Sequence, residues 1–331
     1  MANTYVISPN WVTDARESAF GVMPKADNSS VGTDLSAGWR GFADILNRSV
    51  TSGKLFSTDI VSTYSIFSTT FAYTGGVLAP NGDIHFIPSS ANRGQKISAS
   101  GVVSTYSLVY TVSTAYIGGV LAPNGDIHFV PHAANRGQKI DINGVVSTYS
   151  LVYTVSNAYN GGVLAPNGDI HFVPFNAAVG QKIDINGTVS TYSLVYTAGQ
   201  YAGGVLAPNG DIHFVPSNAA VGQKIDINGV ISTYSLVYTG GSYNCGVLAP
   251  NGDIHFIPYS ANRGQKIDIN GVVSTYSLVY TLATAYIGGV LSPNGDIHFV
   301  PVSAAVGQKI NISGARPLEI GECASPWLNK Y

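Results

Sequence analysis

The feature that most limits what this chain can fold into is an internal repeat. The stretch Gly118 to Thr154, GGVLAPNGDIHFVPHAANRGQKIDINGVVSTYSLVYT, returns in close copies that begin at Gly75, Gly118, Gly161, Gly203, Cys245 and Gly288. A period of 42 or 43 residues belongs to solenoids and propellers, in which each unit buries its faces against copies of itself.

Within one copy, Asn124-Gly125 and Asn143-Gly144 sit between apolar or β-branched runs, the mark of two hairpins whose two-residue turns take positive φ at both central positions. Four strands follow: A over 119–122, B over 127–131, C over 138–142 and D over 145–153. Strand B is apolar at nearly every position, as in a strand covered on both faces. Radial stacking of four-stranded blades supplies that cover and protects sheet edges.

The chain ends supply a closure. The sixth copy has A, B and C up to Ile312 but no D, while Val61 to Ser68, VSTYSIFS, matches the D sequence VSTYSLVY with no A or B before it. The reading is an all-β, six-bladed propeller over 61–314 whose N-terminal strand completes the sixth blade. A segment over 1–60 precedes it and a tail over 315–331 follows. A degenerate seventh blade from Trp39 to Phe56 is the alternative.

The layout G-V-x-x-P-x-G-x-I, then a loop ending in Asn-Arg, then Q-K-I-D, resembles NHL-type propeller repeats. The resemblance implies the fold and leaves function open, since such propellers host binding proteins, lyases and hydrolases. The N-terminal string FGVMPKADNSSVGTDLSAGWRGF resembles segments of tailed-phage virion proteins such as head or tail fibres, and the closing LNKY resembles the ends of phage propeller proteins. These resemblances imply a virion protein, assembled in the host cytoplasm in multiple copies per particle, with residues 1–60 contacting other virion proteins.

Sixteen basic against eighteen acidic residues, with no basic run, give no footprint for nucleic acid or an anionic membrane surface. No stretch reaches the roughly 20 apolar residues that cross a bilayer, and the N-terminus lacks the basic start and apolar core of an export signal. Two cysteines exclude a disulfide framework.

Each copy carries Asp-Ile-His on strand B, from Asp83 and His85 to Asp296 and His298, and residues i and i+2 of a strand share a face. A catalytic site needs distinct groups, whereas this pair repeats in every blade, so it reads as a buried hydrogen-bonding device between neighbouring blades. The PNGD and DING strings lack the oxygen count of a calcium loop. No nucleophile elbow, isolated carboxylate pair or phosphate loop is present. The expectations are no catalytic residues, no metal, no cofactor and no enzyme.

Because the copies are nearly identical, the positions that differ stand out. The A–B and C–D turns share one end and are uniform; the B–C and D–A loops share the other and vary. After the strand B proline come Ser89, His132, Phe175, Ser217, Tyr259 and Val302, and three copies carry Arg93, Arg136 and Arg263 where the others carry valine. Each D–A loop ends in a tyrosine, including Tyr116, Tyr159, Tyr201, Tyr243 and Tyr286, read as packed in the fold or as a ring of ligand-facing aromatics. Loops on a rigid scaffold are where binding resides. The expected function is a phage fibre or spike subunit that binds a host-surface glycan or protein through these residues. The alternatives are an architectural virion component and a sugar-active enzyme.

Overall fold

A computed structural model describes residues 63–67 and 71–312, and every regular element among them is a strand. The internal contacts divide the chain into Met1–Tyr64 and Ser65–Tyr331, and the second unit carries the repeats. Six antiparallel sheets follow one another as blades: 73–107, 116–150, 159–193, 201–235, 243–277 and 286–310. Five have four strands in sequential order and the sixth has three. Blade 2 shows the plan, with A at Tyr116–Leu121, B at Ile127–Pro131, C at Arg136–Ile140 and D at Val146–Ser150.

The turns differ from the two-residue form expected. Gly125 N donates to Ala122 O and Ala122 N to Asp126 O, and Gly125 has φ 89° while Asn124 stays out of the left-handed region. Pro123 fixes its own φ near −65°, which suits the first central position of a type I turn, so the glycine after it forms a bulge. The second hairpin repeats this with Asp141 in place of Ala122, its carboxylate accepting from Asn143 N at 2.9 Å and Val145 N at 2.8 Å.

Strand limits shift for related reasons. Strand A begins at Tyr116, which pairs with Pro131 across a bulge. Strand D stops at Ser150 because the next amides turn to the neighbouring blade, where Val152 N and Tyr153 N both donate to Gln181 Oε1 at 2.9 Å. Gln95, Gln138, Gln181, Gln223 and Gln265 are fully buried, and this glutamine clamp joins each blade to the one before it.

Apolar cores lie between blades. Val130 of blade 2 packs with Tyr159, Ile170, Phe172 and Ile183 of blade 3, and the same set recurs at the other junctions. The second strand A glycine permits the approach, since a Cβ on Gly162 would lie 2.7 Å from Val120 Cγ2. At the outer faces of the first and last blades the cover among the described residues is thinner. Ile84 is 38% exposed against 1% for Ile127, and Val300 39% against 0% for Val215. The strand expected to complete blade 6 falls on Val61–Ser68, of which only 63–67 are described, and these carry no strand pairing. Phe67 N nevertheless donates to Gln95 Oε1 at 2.7 Å, the bond that Val109 N gives Gln138 at 3.0 Å. The alternative seventh blade over Trp39 to Phe56 lies outside the described residues.

Candidate functional site

The strand B groups are the most conspicuous polar cluster, and the structure assigns them different partners from those the sequence suggested. Asp126 Oδ2 receives Lys139 Nζ at 2.6 Å, because the turn places Asp126 beside the strand C residue that pairs with His128. His128 Nδ1 lies 3.3 Å from the Tyr149 hydroxyl, with the rings edge to face at 5.5 Å. Both pairs sit within one blade, so they are not the inter-blade device expected; the glutamine clamp fills that role.

Tyr149 reaches the histidine by lying over Gly137, where a Cβ would fall 2.0 Å from the ring. Desolvation dominates the electrostatics. Burial, reinforced by the nearby lysine, holds His128, His171, His213 and His255 down at about 4, so they are neutral at pH 7. Burial alone would raise the Asp169 and Asp211 carboxyls, but hydrogen bonds from Lys182 and Lys224 override it and hold both below the usual carboxylate value. A small cleft lined by Asp126, His128 and Lys139 of blade 2 and by Ile183–Gly187 of blade 3 opens on the uniform end. The same groups recur in the other blades.

The five tyrosines proposed as ligand contacts are not available to a ligand. Tyr116, Tyr159, Tyr201, Tyr243 and Tyr286 are at most 1% exposed. Their hydroxyls donate to the main-chain carbonyls of Arg136, Val179, Val221, Arg263 and Val306 at 3.0–3.3 Å. Strand A starts at these residues, which turns each ring into the inter-blade core against a strand B phenylalanine.

The remaining sequence-selected residues do reach the surface of the variable end. His132, Phe175 and Tyr259 are half-buried and Arg93, Arg136 and Arg263 exposed. The arginines open strand C rather than closing the loop; among the described residues none makes an ion pair, and Arg93 lies 4.9 Å over the Phe67 ring. The structure brings His132 and Phe175 together across the junction of blades 2 and 3, with ring centroids 6.3 Å apart. His132 Nδ1 is 3.0 Å from Tyr159 O. A carbonyl only accepts, so Nδ1 carries a proton and Nε2 is the ring nitrogen left outside that bond. Arg136 stands four residues after His132 in the same blade, whereas Arg93 belongs to blade 1 and Tyr259 and Arg263 to blade 5. Sequence reasoning missed the side chains that tie the B–C loops to the D–A loops, such as Ser242 with Ser260 at 2.7 Å and Gln200 with Asn176 at 2.6 Å. Their spacing carries no motif.

Among the described residues there is no group of three or more metal-ligating side chains, and no helix is long and apolar enough to cross a membrane.

The sequence profile of the virginiamycin B lyase family matches residues 45–308. No curated protein matches. Among solved structures, a streptogramin B lyase is 20% identical, with 75% of this chain and 85% of that one covered and a TM-score of 0.63. Virginiamycin B lyase from Staphylococcus aureus is 18% identical over 73% and 85%, with a TM-score of 0.63. A catalytically inactive histidine-to-alanine variant of that enzyme with quinupristin gives 18%, 76% and 86%, and 0.62. These structural likenesses show the propeller fold. The family match overturns the expectation that the chain is not an enzyme, which rested on the lack of an asymmetric catalytic motif in the repeats.

Proposed function

We propose that this chain, which belongs to the virginiamycin B lyase family, is a lyase whose substrate sits on the variable end of the propeller with His132 as the proton acceptor. Elimination takes a proton from carbon and expels a leaving group from the neighbouring atom, so it needs a base with a free lone pair at the surface. The observation that carries the reading is the bond between His132 Nδ1 and Tyr159 O, which fixes the ring with Nε2 free. The other six histidines lie in the strand B repeats. Phe175 beside the imidazole offers an apolar wall against which a substrate can exclude water.

The test uses quinupristin, the compound named with the staphylococcal enzyme. Ring opening by elimination leaves the mass unchanged, whereas hydrolysis adds one water. Turnover without mass gain, lost by about a hundredfold or more in His132→Ala, is expected for a general base. A product carrying an added water, or undiminished turnover in the variant, overturns the assignment.

A second reading rests on the three exposed arginines of the same end and on the resemblance of the N-terminal segment: attachment of a virion to a host-surface glycan or protein. Arginine forks suit carboxylates, and several weak contacts add up when copies are displayed together. Cell binding by the purified chain, reduced in the combined Arg136→Ala and Arg263→Ala variant, supports it; unaltered binding removes it.

A further inference from the structure

The dipeptide Asn-Gly occurs in two environments in this chain, and the repeat sets them side by side. It closes the A–B hairpin of every blade, at Asn81, Asn124, Asn167, Asn209, Asn251 and Asn294, and the C–D hairpin of blades 2 to 5, at Asn143, Asn186, Asn228 and Asn270. In both turns the glycine amide donates to the carbonyl three residues back, Gly125 N to Ala122 O at 3.0 Å and Gly144 N to Asp141 O at 2.8 Å. In both the glycine lies at positive φ, 89° and 82°. The turns match in backbone and differ in what surrounds them.

At the A–B turns the asparagine is held and the glycine covered. Asn124 Oδ1 accepts from Asp126 N at 3.1 Å, and its counterparts in the other blades do the same at 3.0–3.2 Å. Gly125 is buried beneath Ile142, whose Cδ1 would lie 2.8 Å from an added Cβ. The strand that leaves this turn, Ile127–Pro131, is buried at every residue. At the C–D turns Asn143, Asn186, Asn228 and Asn270 and the glycines after them are exposed. Only the main-chain amides of these asparagines are bonded, to the aspartate two residues back at 2.9 Å; among the described residues no hydrogen bond engages their side-chain amides. A Cβ on Gly144, Gly187, Gly229 or Gly271 would meet nothing within 4 Å. Strand D leaves this turn as the outermost strand of its sheet, paired with strand C alone, and its residues are half-buried or exposed. Opening such a segment locally costs far less free energy than opening the hairpin that leads into a buried strand B.

We propose that Asn143, Asn186, Asn228 and Asn270 are sites of spontaneous conversion to aspartyl and isoaspartyl residues in the folded protein, while the A–B asparagines are protected. When the C–D turn opens, Gly144 N leaves Asp141 O, gives its proton to hydroxide and attacks Asn143 Cγ. The new N–Cγ bond closes a five-membered imide, the Cγ–Nδ2 bond breaks, and the nitrogen departs as ammonia with a proton from water. Water then opens the imide. Attack at Cγ gives aspartate; attack at the main-chain carbonyl leaves an isoaspartyl link, in which the chain runs through the side chain and is longer by one methylene. The net reaction consumes water and releases ammonia, with no oxidation or reduction. The added methylene draws Val145 off Asp141, whose carboxylate holds Val145 N at 2.8 Å. Beyond strand D, Val152 N and Tyr153 N are clamped to Gln181 of the next blade, so conversion at this turn loosens the outer strand and with it the junction between blades. The proposal is independent of where substrate binds.

The test stores the full chain in mildly alkaline buffer and maps it by trypsin digestion and fragment mass spectra. Each peptide carries its own control, since 140–182 holds Asn143 and Asn167 and 183–224 holds Asn186 and Asn209. The C–D asparagine should convert at least about tenfold faster than the A–B asparagine of the same peptide, with isoaspartate detected by an isoaspartyl-directed carboxyl methyltransferase. In urea the two should convert at comparable rates, which assigns the difference to the fold. Asn143→Gln, Asn186→Gln, Asn228→Gln and Asn270→Gln together should leave the unfolding midpoint unchanged and abolish conversion at these turns. Hydrogen exchange at Val152 and Tyr153 should quicken in the stored parent chain and not in the stored variant. A–B asparagines that convert as fast as the C–D ones in the folded chain, or C–D asparagines that convert only in urea, overturn the proposal, and exchange left unchanged after full conversion overturns the loosening.

Discussion

The two ends of the propeller are made by the same six repeats, yet one end has been held constant while the other has diverged. On the uniform end, side chains do the structural work: Asp126 is tied to Lys139, and Asp141 caps its own turn. On the variable end main-chain bonds are what every blade shares, while the side-chain ties change from blade to blade. His132 N donates to Ala115 O, Phe175 N to Ala158 O and Tyr259 N to Ser242 O, whatever the side chain. Where main-chain bonds hold a loop, its side chains are free to specialise, and freedom of this kind is what a binding surface requires.

The largest expected effect breaks the constant half. His128, His171, His213 and His255 are held at about 4 by burial, against about 6.5 in an unfolded chain. A depressed histidine makes the unfolded state the better proton binder between those values. Its contribution is therefore complete above pH 6.5 and is lost as the pH falls through 4, at roughly 3 kcal/mol for each fully uncompensated ring. Thermal unfolding followed from pH 7.5 to 4 should show a steep loss of midpoint temperature across that window. A flat profile would mean that the rings are solvated and the constant half is not the stabilising one.

Next in size is a substitution on the same polar stack. In blade 3, Gly180 lies beneath Tyr192, and an added Cβ would fall 1.9 Å from the ring. Gly180→Ala must push Tyr192 off His171, which then loses its partner at 3.3 Å. A loss of about 3 kcal/mol in urea unfolding is expected from combined overpacking and a stranded polar group. Phe175→Ala, on the variable end of the same blade, should cost less than about half of that, because the ring is only half-buried. Equal losses would erase the division of labour.

The fold was legible because it is written many times. Six copies expose the period, and an Asn-Gly signal in every copy, with a second in four of them, gives the strand count. What stayed hidden depended on neighbours: Asp126 looks toward His128 in sequence, but cross-strand register puts Lys139 nearer, and the tyrosines before strand A enter the core because a bulge starts the strand earlier than the apolar run. The candidate site was legible as a set of diverging loops and not as chemistry. His132 stood out by differing from its copies, while its orientation comes from Tyr159 O in the next blade, and the enzyme class entered through the family match alone.

The smallest expected effect sharpens the comparison within the variable end. D–A loops come in two lengths. The longer form carries a residue in the left-handed region, Thr114 at φ 52°, Asn157 at 55° and Thr284 at 59°. The shorter form instead uses Gly199 and Gly241, where a Cβ would fall 2.5 Å from Ala219 Cα and Ala261 Cα. A β-branched residue is strained at positive φ and asparagine much less so. Nature has thus placed the tolerant residue in blade 3 and a strained one in blade 2. Thr114→Asn should stabilise the protein by about 0.5–1 kcal/mol; the 3.4 Å bond from Thr114 N to Ser90 Oγ is a main-chain one and is kept, while the 2.8 Å bond from Thr114 Oγ1 to Ser113 O is lost. Asn157→Thr should do the reverse by a similar amount. The pair of unfolding midpoints checks both, and a Thr114→Asn variant no more stable than its parent would show that the loops, unlike the turns of the opposite end, are not limited by local backbone geometry.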